Sequence, residues 1–573
     1  MIRRSFIGAG LGLAAGAALP ARAATGHVKP GAEGWPGPPA WARLSQAVGG
    51  RLRPVSLPDL TDPAVRRLVS DPFYVSSQPG LTQSSGWLDA WRSSPSAYAV
   101  AAASAADVAA AIRFARARNV RLVVKGAGHS YLGASNAPDS LLVWTKPMDA
   151  VEVHEAFTPR GSAAEPVPAV SVGGGGIWLH AYQAVTGAAG RYVQGGGCTT
   201  VGVPGLVMGG GFGSYSKAYG TAAGSLLEAE IVTADGRVRV VNATLEPDLF
   251  WALKGGGGGT FGVVTRLTLA THPLPETFGA LRLSIKATSD EAFRRLIARF
   301  VAIYAQNLCN PHWGEQVTAR ADNRLDVRMV FQGLGQDAAR AAWRPLIDFA
   351  DANKSDYEGQ DSLIAVALPA RTFWDAEFLR RNLAPAVRFD TRPGASPDDF
   401  WWTGDGEQVG AFWHAYESAW LPASLLEPRN QARLADAWFA ASRHWSVAFH
   451  FNKGLAGAPP TAIEAARDTA TNPEVLDAFA LAIVASGGGP AFPGFPKPNL
   501  GLATITRDAV RASMTALCAA APGAGAYVNE CSYFQQDWRQ AFWGEHYPRL
   551  ARIKRRYDPT DVFAVHHGVG SQA

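Results

Sequence analysis

Glycine is bunched in this chain, and the bunches limit how the backbone can run. Runs at 173–176, 195–197, 209–213 and 255–259 add to a tighter turn, Lys125-Gly126-Ala127-Gly128-His129-Ser130. A residue without Cβ lets the backbone bend sharply or come close to another surface. Successive N–H groups facing inward in such a turn form a nest for anionic oxygen. Lys125–Ser130, Gly209–Gly213 and Gly255–Gly259 all have that character, and they fall within one stretch of the chain. The 61 glycines among 573 residues therefore mark several close backbone passes and not a flexible low-complexity segment. No strand–GxGxxG–helix unit with a following acidic residue is present, nor a P-loop, so a nicotinamide enzyme on a doubly wound sheet is not indicated.

Two of these passes carry a nucleophile. His129 follows the mostly apolar run Val120 to Val124 and its glycine turn, and Cys198 follows Gly195-Gly196-Gly197, 69 residues later. Imidazole and thiolate both attack electron-poor carbon. The four cysteines, Cys198, Cys309, Cys518 and Cys531, show no CxxC spacing, so a structural zinc site is not expected and no metal is assigned.

The formal charge of +5 owes three units to Arg3, Arg4 and Arg22, leaving +2 for the rest. There is no basic stripe, which argues against nucleic-acid binding. Met1-Ile2-Arg3-Arg4-Ser5-Phe6-Ile7, a small apolar run from Gly8 to Leu19, and Ala21-Arg22-Ala23 read as an export signal at 1–23, too short for a good membrane span. The arginine pair resembles a bacterial twin-arginine signal. The expected destination is the periplasm or the exterior, with no membrane contact in the mature form.

The predicted architecture is α+β. Residues 24–94 form an N-terminal wrap. From 95 to 275, strands at Tyr98–Ala101, Val120–Val124, Leu141–Trp144, Ala169–Val172 and Phe261–Ala270 alternate with glycine turns. A helix at Val108–Arg118 follows the N-cap candidate Ser104. Leu227–Thr233 and Val238–Val241 flank Asp235-Gly236 as a hairpin. Residues 276–500 are expected to form an antiparallel sheet with helices at 289–305, 337–351 and 428–443. Leu325, Val327, Met329 and Phe331 alternate with polar neighbours there. The tail 501–573 holds a helix at 507–520, a strand near Tyr527 and a helix from about Trp543 to Tyr557.

Taken in order, the motifs resemble one family. They are the G-x-G-H-S turn; Gly197-Cys198-Thr199-Thr200-Val201-Gly202; Gly205 with Gly209-Gly210-Gly211-Phe212-Gly213; and Tyr219-Gly220. Phe250-Trp251-Ala252-Leu253 and Gly257-Gly258-Gly259-Thr260-Phe261-Gly262-Val263-Val264-Thr265 follow. Tyr527-Val528-Asn529, Phe542-Trp543-Gly544 and Tyr557-Asp558-Pro559 close the series. Over about 95–272 and 520–570 the chain is similar to the berberine bridge enzyme-like oxidases of the vanillyl-alcohol-oxidase superfamily, with their PCMH-type FAD-binding fold. The resemblance implies a two-part FAD domain, to which the tail returns, and a separate substrate domain.

It also implies that His129 bonds the flavin 8α-methyl and Cys198 the neighbouring ring carbon. Gly126, Ala127, Gly128, Ser130, Gly197, Val201, Gly202, Gly205, Gly209, Gly210, Gly211, Gly259, Val263 and Asn529 would line the cofactor. Val201 is the position that leaves room for oxygen. The implied activity is an oxidase that takes hydride from a small-molecule alcohol (sugar, phenolic or natural product) and passes electrons to oxygen, giving hydrogen peroxide. A flavin dehydrogenase with another acceptor, or a secreted flavin-binding protein of weak activity, are the alternatives. Many relatives carry tyrosine directly after the Asn529 position; here it is Glu530, either a catalytic base of raised pKa or a structural carboxylate. Tyr527, which shares a face with Asn529 if the strand is regular, is the other candidate for proton handling. His450 and the aromatic residues Trp374, Trp401, Trp402, Trp413, Tyr416 and Trp445 are read as core or as cleft lining.

Overall fold

The computed structural model describes residues 26–571; the expected export signal lies outside them. In the first half, Tyr98–Ala101, Ser140–Trp144 and Arg121–Lys125 lie parallel and adjacent, with Leu52–Pro54 antiparallel at the edge. Helix Ala105–Arg118 starts where the Ser104 side chain accepts a hydrogen bond from the Asp107 N–H and ends at left-handed Asn119. Its apolar face, Val108, Ala111, Ile112 and Ala115, packs on Val100, Leu141 and Val143. A second, wholly antiparallel sheet has the order Val238–Asn242, Leu226–Val232, Val263–Ala270, Val167–Gly173, Val151–Phe157. The Asp-Gly hairpin is present where expected, with Gly236 at φ +73°.

The large sheet joins Tyr357–Glu358, Thr277–Ala287, Arg324–Gln332, Trp313–Ala319, Val447–His450, Ala478–Gly488, Ala411–Pro422, Ser84–Trp87 and Trp91–Arg92 in that order, with Ile364–Pro369 beside Thr277–Ala287. Leu325, Val327, Met329 and Phe331 are buried as the alternation predicts. They face a layer of helices, Asp290–Ile303, Gln336–Asp351 and Pro428–Ser442. Sequence periodicity does not reveal the two long strands Ala411–Pro422 and Ala478–Gly488. They pair with each other and are buried along most of their length, so the period of two that marks a half-exposed strand is lost.

Two segments sit differently from expectation. Ser84–Trp87 runs parallel to Ala411–Pro422, so the N-terminal segment supplies strands to both the first sheet and the large one. Helix Leu500–Cys518 buries Val510, Met514 and Leu517 in the core of the large sheet, so the chain returns to the FAD side only beyond it. There Trp538–Trp543 and Tyr547–Tyr557, separated by Gly544 at φ +52°, pack on Trp251, Leu253 and Phe261. Buried Lys554 donates to the Thr260 and Phe563 carbonyls and to Asp558, tying this return in place. The mixed α+β architecture agrees with expectation.

Candidate active site

Between the two halves lies a cavity of about 1270 Å³, larger than the 300–1,000 Å³ usual for a drug-sized ligand. One wall comes from the glycine turns: Lys125–Ser130, Gly196–Cys198, Thr200–Gly202, Pro204–Leu206, Gly257–Thr260 and Ala564–Gly568. The opposite wall comes from the large sheet, through Gly279–Arg282, Glu315, Arg328–Val330, Tyr416 and His450.

The Gly126 turn is fixed from beneath. Buried Lys125 donates to the carbonyls of Gln78, Pro79 and Leu81, and the Gly128 carbonyl accepts from the Gln83 N–H at 3.0 Å. Gly128 holds φ +86°, a conformation that L side chains rarely adopt. The Cys198 loop is pinned separately, by Trp178 N–H to Val201 O, Leu179 N–H to Thr199 O and Val203 N–H to Gly176 O.

These two supports bring both nucleophiles to one hydroxyl. Thr200 Oγ1 lies 3.2 Å from His129 Nε2 and 3.8 Å from Cys198 Sγ, which bounds the separation of the two nucleophilic atoms at 7.0 Å. Burial, reinforced by the Lys146 cation, holds His129 down to about 4, so its imidazole is neutral at physiological pH. Burial and the neighbouring Asp405 push the Cys198 thiol well above its ordinary range. All four cysteines are free thiols. In the sequence Thr200 is visible only as part of a motif; its role in joining the two nucleophiles comes from the fold.

Of the expected lining residues, Gly126, Ala127, Gly128, His129, Ser130, Gly197, Cys198, Val201, Gly202, Gly205, Gly259, Tyr527, Asn529 and Glu530 all border the cavity. Val263 does not: it is buried in the core beside helix Ala105–Arg118, and strand alternation presents Val264 instead. Gly209, Gly210 and Gly211 also lie behind the wall. They serve close packing, since a Cβ on each would fall within 2.7 Å of Asn529, Thr471 or Ala222 respectively.

The segment at Tyr527 is not a regular strand. The Glu530 N–H donates to the Tyr527 carbonyl at 2.9 Å, closing a tight turn, so Tyr527, Asn529 and Glu530 all reach the cavity where alternation would have sent Glu530 away. Asn529 Nδ2 donates to the Tyr527 hydroxyl at 3.2 Å. Glu530 pairs with Lys453, whose ammonium stands 6.0 Å from the centre of the Tyr527 ring. Burial and the Glu530 charge raise the Tyr527 hydroxyl, leaving it a protonated phenol.

Further groups complete this side. Glu315 lies within strand Trp313–Ala319 yet has φ +68°, a strained state for a non-glycine residue. Its carboxylate accepts from Ser214 Oγ at 2.5 Å, beside Gly197, and burial raises its pKa. His450 lines the cavity, and burial holds it well below its ordinary value. Trp402 and the buried Trp374 line the cavity too, whereas Trp401, Trp413 and Trp420 are buried away from it. His566 stacks on Tyr533, and His567 stacks on His566 and Trp538.

Comparison with known proteins gives this arrangement a family. A model for an FAD binding domain matches residues 96–242, and one described as berberine and berberine like matches 526–570. A VAO-type flavoprotein oxidase from Thermothelomyces thermophilus is 30% identical over 83% of this chain and 76% of its own length. The chain belongs to the VAO-type, berberine bridge enzyme-like flavoprotein family. As a member it is an FAD-linked oxidoreductase. The crystal structure of a VAO-type flavoprotein from Myceliophthora thermophila C1 superposes with a TM-score of 0.76 at 27% identity, covering 96% of this chain and 97% of that one. A glucooligosaccharide oxidase from Acremonium strictum, described as carrying 6-S-cysteinyl, 8α-N1-histidyl FAD, shares the fold at a TM-score of 0.63 and 20% identity, over 83% and 92% of the two chains.

The residues of this VAO-type chain fit FAD. The cavity has room for a dinucleotide, the turns at Gly126–Ser130 and Gly257–Gly259 bring backbone to its surface, and a histidine and a cysteine face the same wall. No helix among the described residues is long and apolar enough to cross a membrane.

Proposed function

We propose that this chain is an oxidase that holds FAD by two covalent bonds, one from His129 and one from Cys198. It oxidises an alcohol on a sugar, phenolic or natural-product substrate and passes the electrons to dioxygen, producing hydrogen peroxide. The observation that carries this reading is the meeting of His129 Nε2 and Cys198 Sγ at the Thr200 hydroxyl. With Nε2 engaged there, Nδ1 is the nitrogen available for a bond. The glucooligosaccharide oxidase, described with the same two linkages, supports the pairing.

The bound flavin supplies the hydride acceptor. The protein supplies the rest. Removing hydride from a carbinol carbon requires that the hydroxyl proton leave to a base. Glu530 is our assignment for that base: a carboxylate on the cavity wall, kept in place by Lys453. The Tyr527 phenol, raised by burial, keeps its own proton and does not compete for that of the substrate. Trp402, Tyr131 and Tyr416 offer ring faces for a planar or pyranose substrate, and Val201 borders the space through which oxygen would approach.

Export through the signal read at 1–23 belongs to the same proposal and rests on that sequence alone; the relatives named above are fungal and lend no support to a bacterial twin-arginine route. The test of the linkage is acid precipitation of the purified protein: a yellow pellet is expected, and flavin left wholly in the supernatant refutes it. Steady hydrogen peroxide formation under air is the expected result with an oxidised substrate. Substrate-driven bleaching without peroxide would instead identify a dehydrogenase, and no bleaching by any sugar or aromatic alcohol would identify a binding protein.

A further inference from the structure

Asp405 lies in the turn Thr403–Gln408, between strands Phe400–Trp402 and Ala411–Pro422. Its side chain borders the cavity, and its Oδ2 is buried without a conventional hydrogen-bond partner. The Cys198 thiol and the Thr199 backbone N–H are among the polar groups around it, and Cys198 borders the same cavity. A buried carboxylate oxygen left unpartnered is costly, and no lysine or arginine among the described residues forms an ion pair with it. Asp405 and Cys198 thus share one cavity wall, with a carboxylate oxygen there left free of other partners.

Thioether formation needs such a group. The attacking species is the thiolate, and burial makes the Cys198 thiol reluctant to ionise by itself. The other candidates nearby are engaged or weak. Thr200 offers a neutral hydroxyl, the Glu315 carboxylate is turned to Ser214, and the His129 imidazole, held down to about 4, is a poor proton acceptor.

We propose that Asp405 accepts the Cys198 thiol proton as Cys198 forms its thioether to the flavin. The inference rests on the bicovalent reading above. The Cys198 S–H bond breaks and its proton passes to the Asp405 carboxylate. The sulfur forms a C–S bond where a ring C–H stood. The two electrons released by replacing S–H and C–H with C–S reduce dioxygen, and with the two protons they yield one hydrogen peroxide. Burial and the Glu315 charge raise Asp405 to about 7, close to the pH at which the step would run, so it can accept and later release the proton.

The test compares wild type, Asp405→Asn, Asp405→Glu and Cys198→Ala, each expressed with FAD, acid-precipitated, digested and read by peptide mass. In Asp405→Asn the peptide carrying His129-bound flavin should persist, which also reports that the protein has folded. The peptide with flavin on Cys198 should fall at least tenfold. Asp405→Glu, which keeps a carboxyl, should regain most of that link. A full Cys198 link in Asp405→Asn, or the same loss in Asp405→Glu, overturns the proposal while leaving two covalent bonds intact. No Cys198–flavin peptide even in wild type overturns the bicovalent reading itself, and this inference with it. If Asp405→Asn does not accumulate, Asp405→Ser takes its place: loss of the Cys198 link supports the proposal, and a full link overturns it.

Discussion

Thr200 Oγ1 stands 3.2 Å from His129 Nε2, and that contact fixes the ring whose free nitrogen would bond the flavin. Replacing Thr200 by valine keeps the shape and removes the hydroxyl. A hydrogen bond of this kind contributes about 1 kcal/mol net, roughly a fivefold change in the fraction of rings correctly turned. Thr200→Val should therefore slow covalent attachment at His129 about fivefold, read as in-gel flavin fluorescence against time after FAD is supplied, and Thr200→Ser should restore it. Attachment at the wild-type rate in Thr200→Val would remove the hydroxyl from the account.

Gly209 supports the substrate side from behind. A Cβ there would fall 2.1 Å from Asn529 Nδ2, the amide that donates to Tyr527. Gly209→Ala should push Asn529 aside at about 1–3 kcal/mol of overpacking, lowering the thermal midpoint and raising KM. Shortening the other partner relieves the clash, so Gly209→Ala with Asn529→Ala should be more stable than the sum of the single changes implies. Strict additivity in a double-mutant cycle would show that the two residues do not press on one another.

The elements around this site are legible in the sequence to different degrees, for physical reasons. Helix Ala105–Arg118 and the Asp235-Gly236 hairpin announce themselves locally, through an N-cap and a turn that only certain residues form. The doubly buried strands Ala411–Pro422 and Ala478–Gly488 have no such signal. At the site, motif and chemistry point to His129 and Cys198, yet the motif alone puts Val263 on the wrong face, because one residue of register exchanges Val263 and Val264. Glu530 looks turned away only on a regular strand, which it does not occupy. The roles of Thr200, Glu315, Lys453 and Asp405 stay silent in the sequence because they lie in partners brought together by the fold, such as Lys453 and Glu530, 77 positions apart.

The Lys453–Glu530 pair carries the assignment of the base. Glu530→Gln keeps the size of the side chain and removes its basicity. General-base catalysis contributes typically 10²–10⁴-fold, so kcat should fall by about that range while covalent flavin and the flavin spectrum are retained. Lys453→Met should also lose activity and be less stable by about 3–5 kcal/mol, since it leaves a largely buried carboxylate unpaired. A Glu530→Gln enzyme within threefold of wild-type kcat would reduce Glu530 to an anchor for Lys453.

Lys217 joins the two walls of the cavity. It is fully buried, and its ammonium donates to the carbonyls of Gly454, Ala456 and Phe479, all on the side of the large sheet, while its backbone belongs to helix Ser216–Tyr219 below the FAD wall. Lys217→Met fills the space, strands the Gly454 carbonyl and leaves those of Ala456 and Phe479 only their longer contacts at 3.5 Å from the Cys309 thiol and the Tyr304 hydroxyl. With unsatisfied buried groups costing about 1–3 kcal/mol each, partly offset by water, a loss of about 3 kcal/mol is expected in denaturant unfolding. A variant as stable as wild type would mean that Lys217 does not help to hold the two halves together.

His272 gives a pH dependence whose sign can be worked out. It lies in the short strand His272–Pro273 against Arg191–Tyr192, its ring 4.9 Å from that of Tyr219, and its Nε2 is buried without a partner. Burial, with the Arg191 cation as the second cause, holds it at about 4 against an ordinary 6.5. Between those values the unfolded chain binds a proton that the folded chain refuses. The histidine's effect on stability is therefore absent above about pH 6.5, and stability is lost progressively as the pH falls towards 4. Buried acids with raised pKa, Asp71 and Asp405, act in the opposite direction, so the measurement must be a difference. His272→Phe should gain stability relative to wild type as pH is lowered from 7 to 4.5, read from unfolding midpoints of the two proteins at matched pH. A difference that stays constant across that range would show that His272 protonates freely in the folded state.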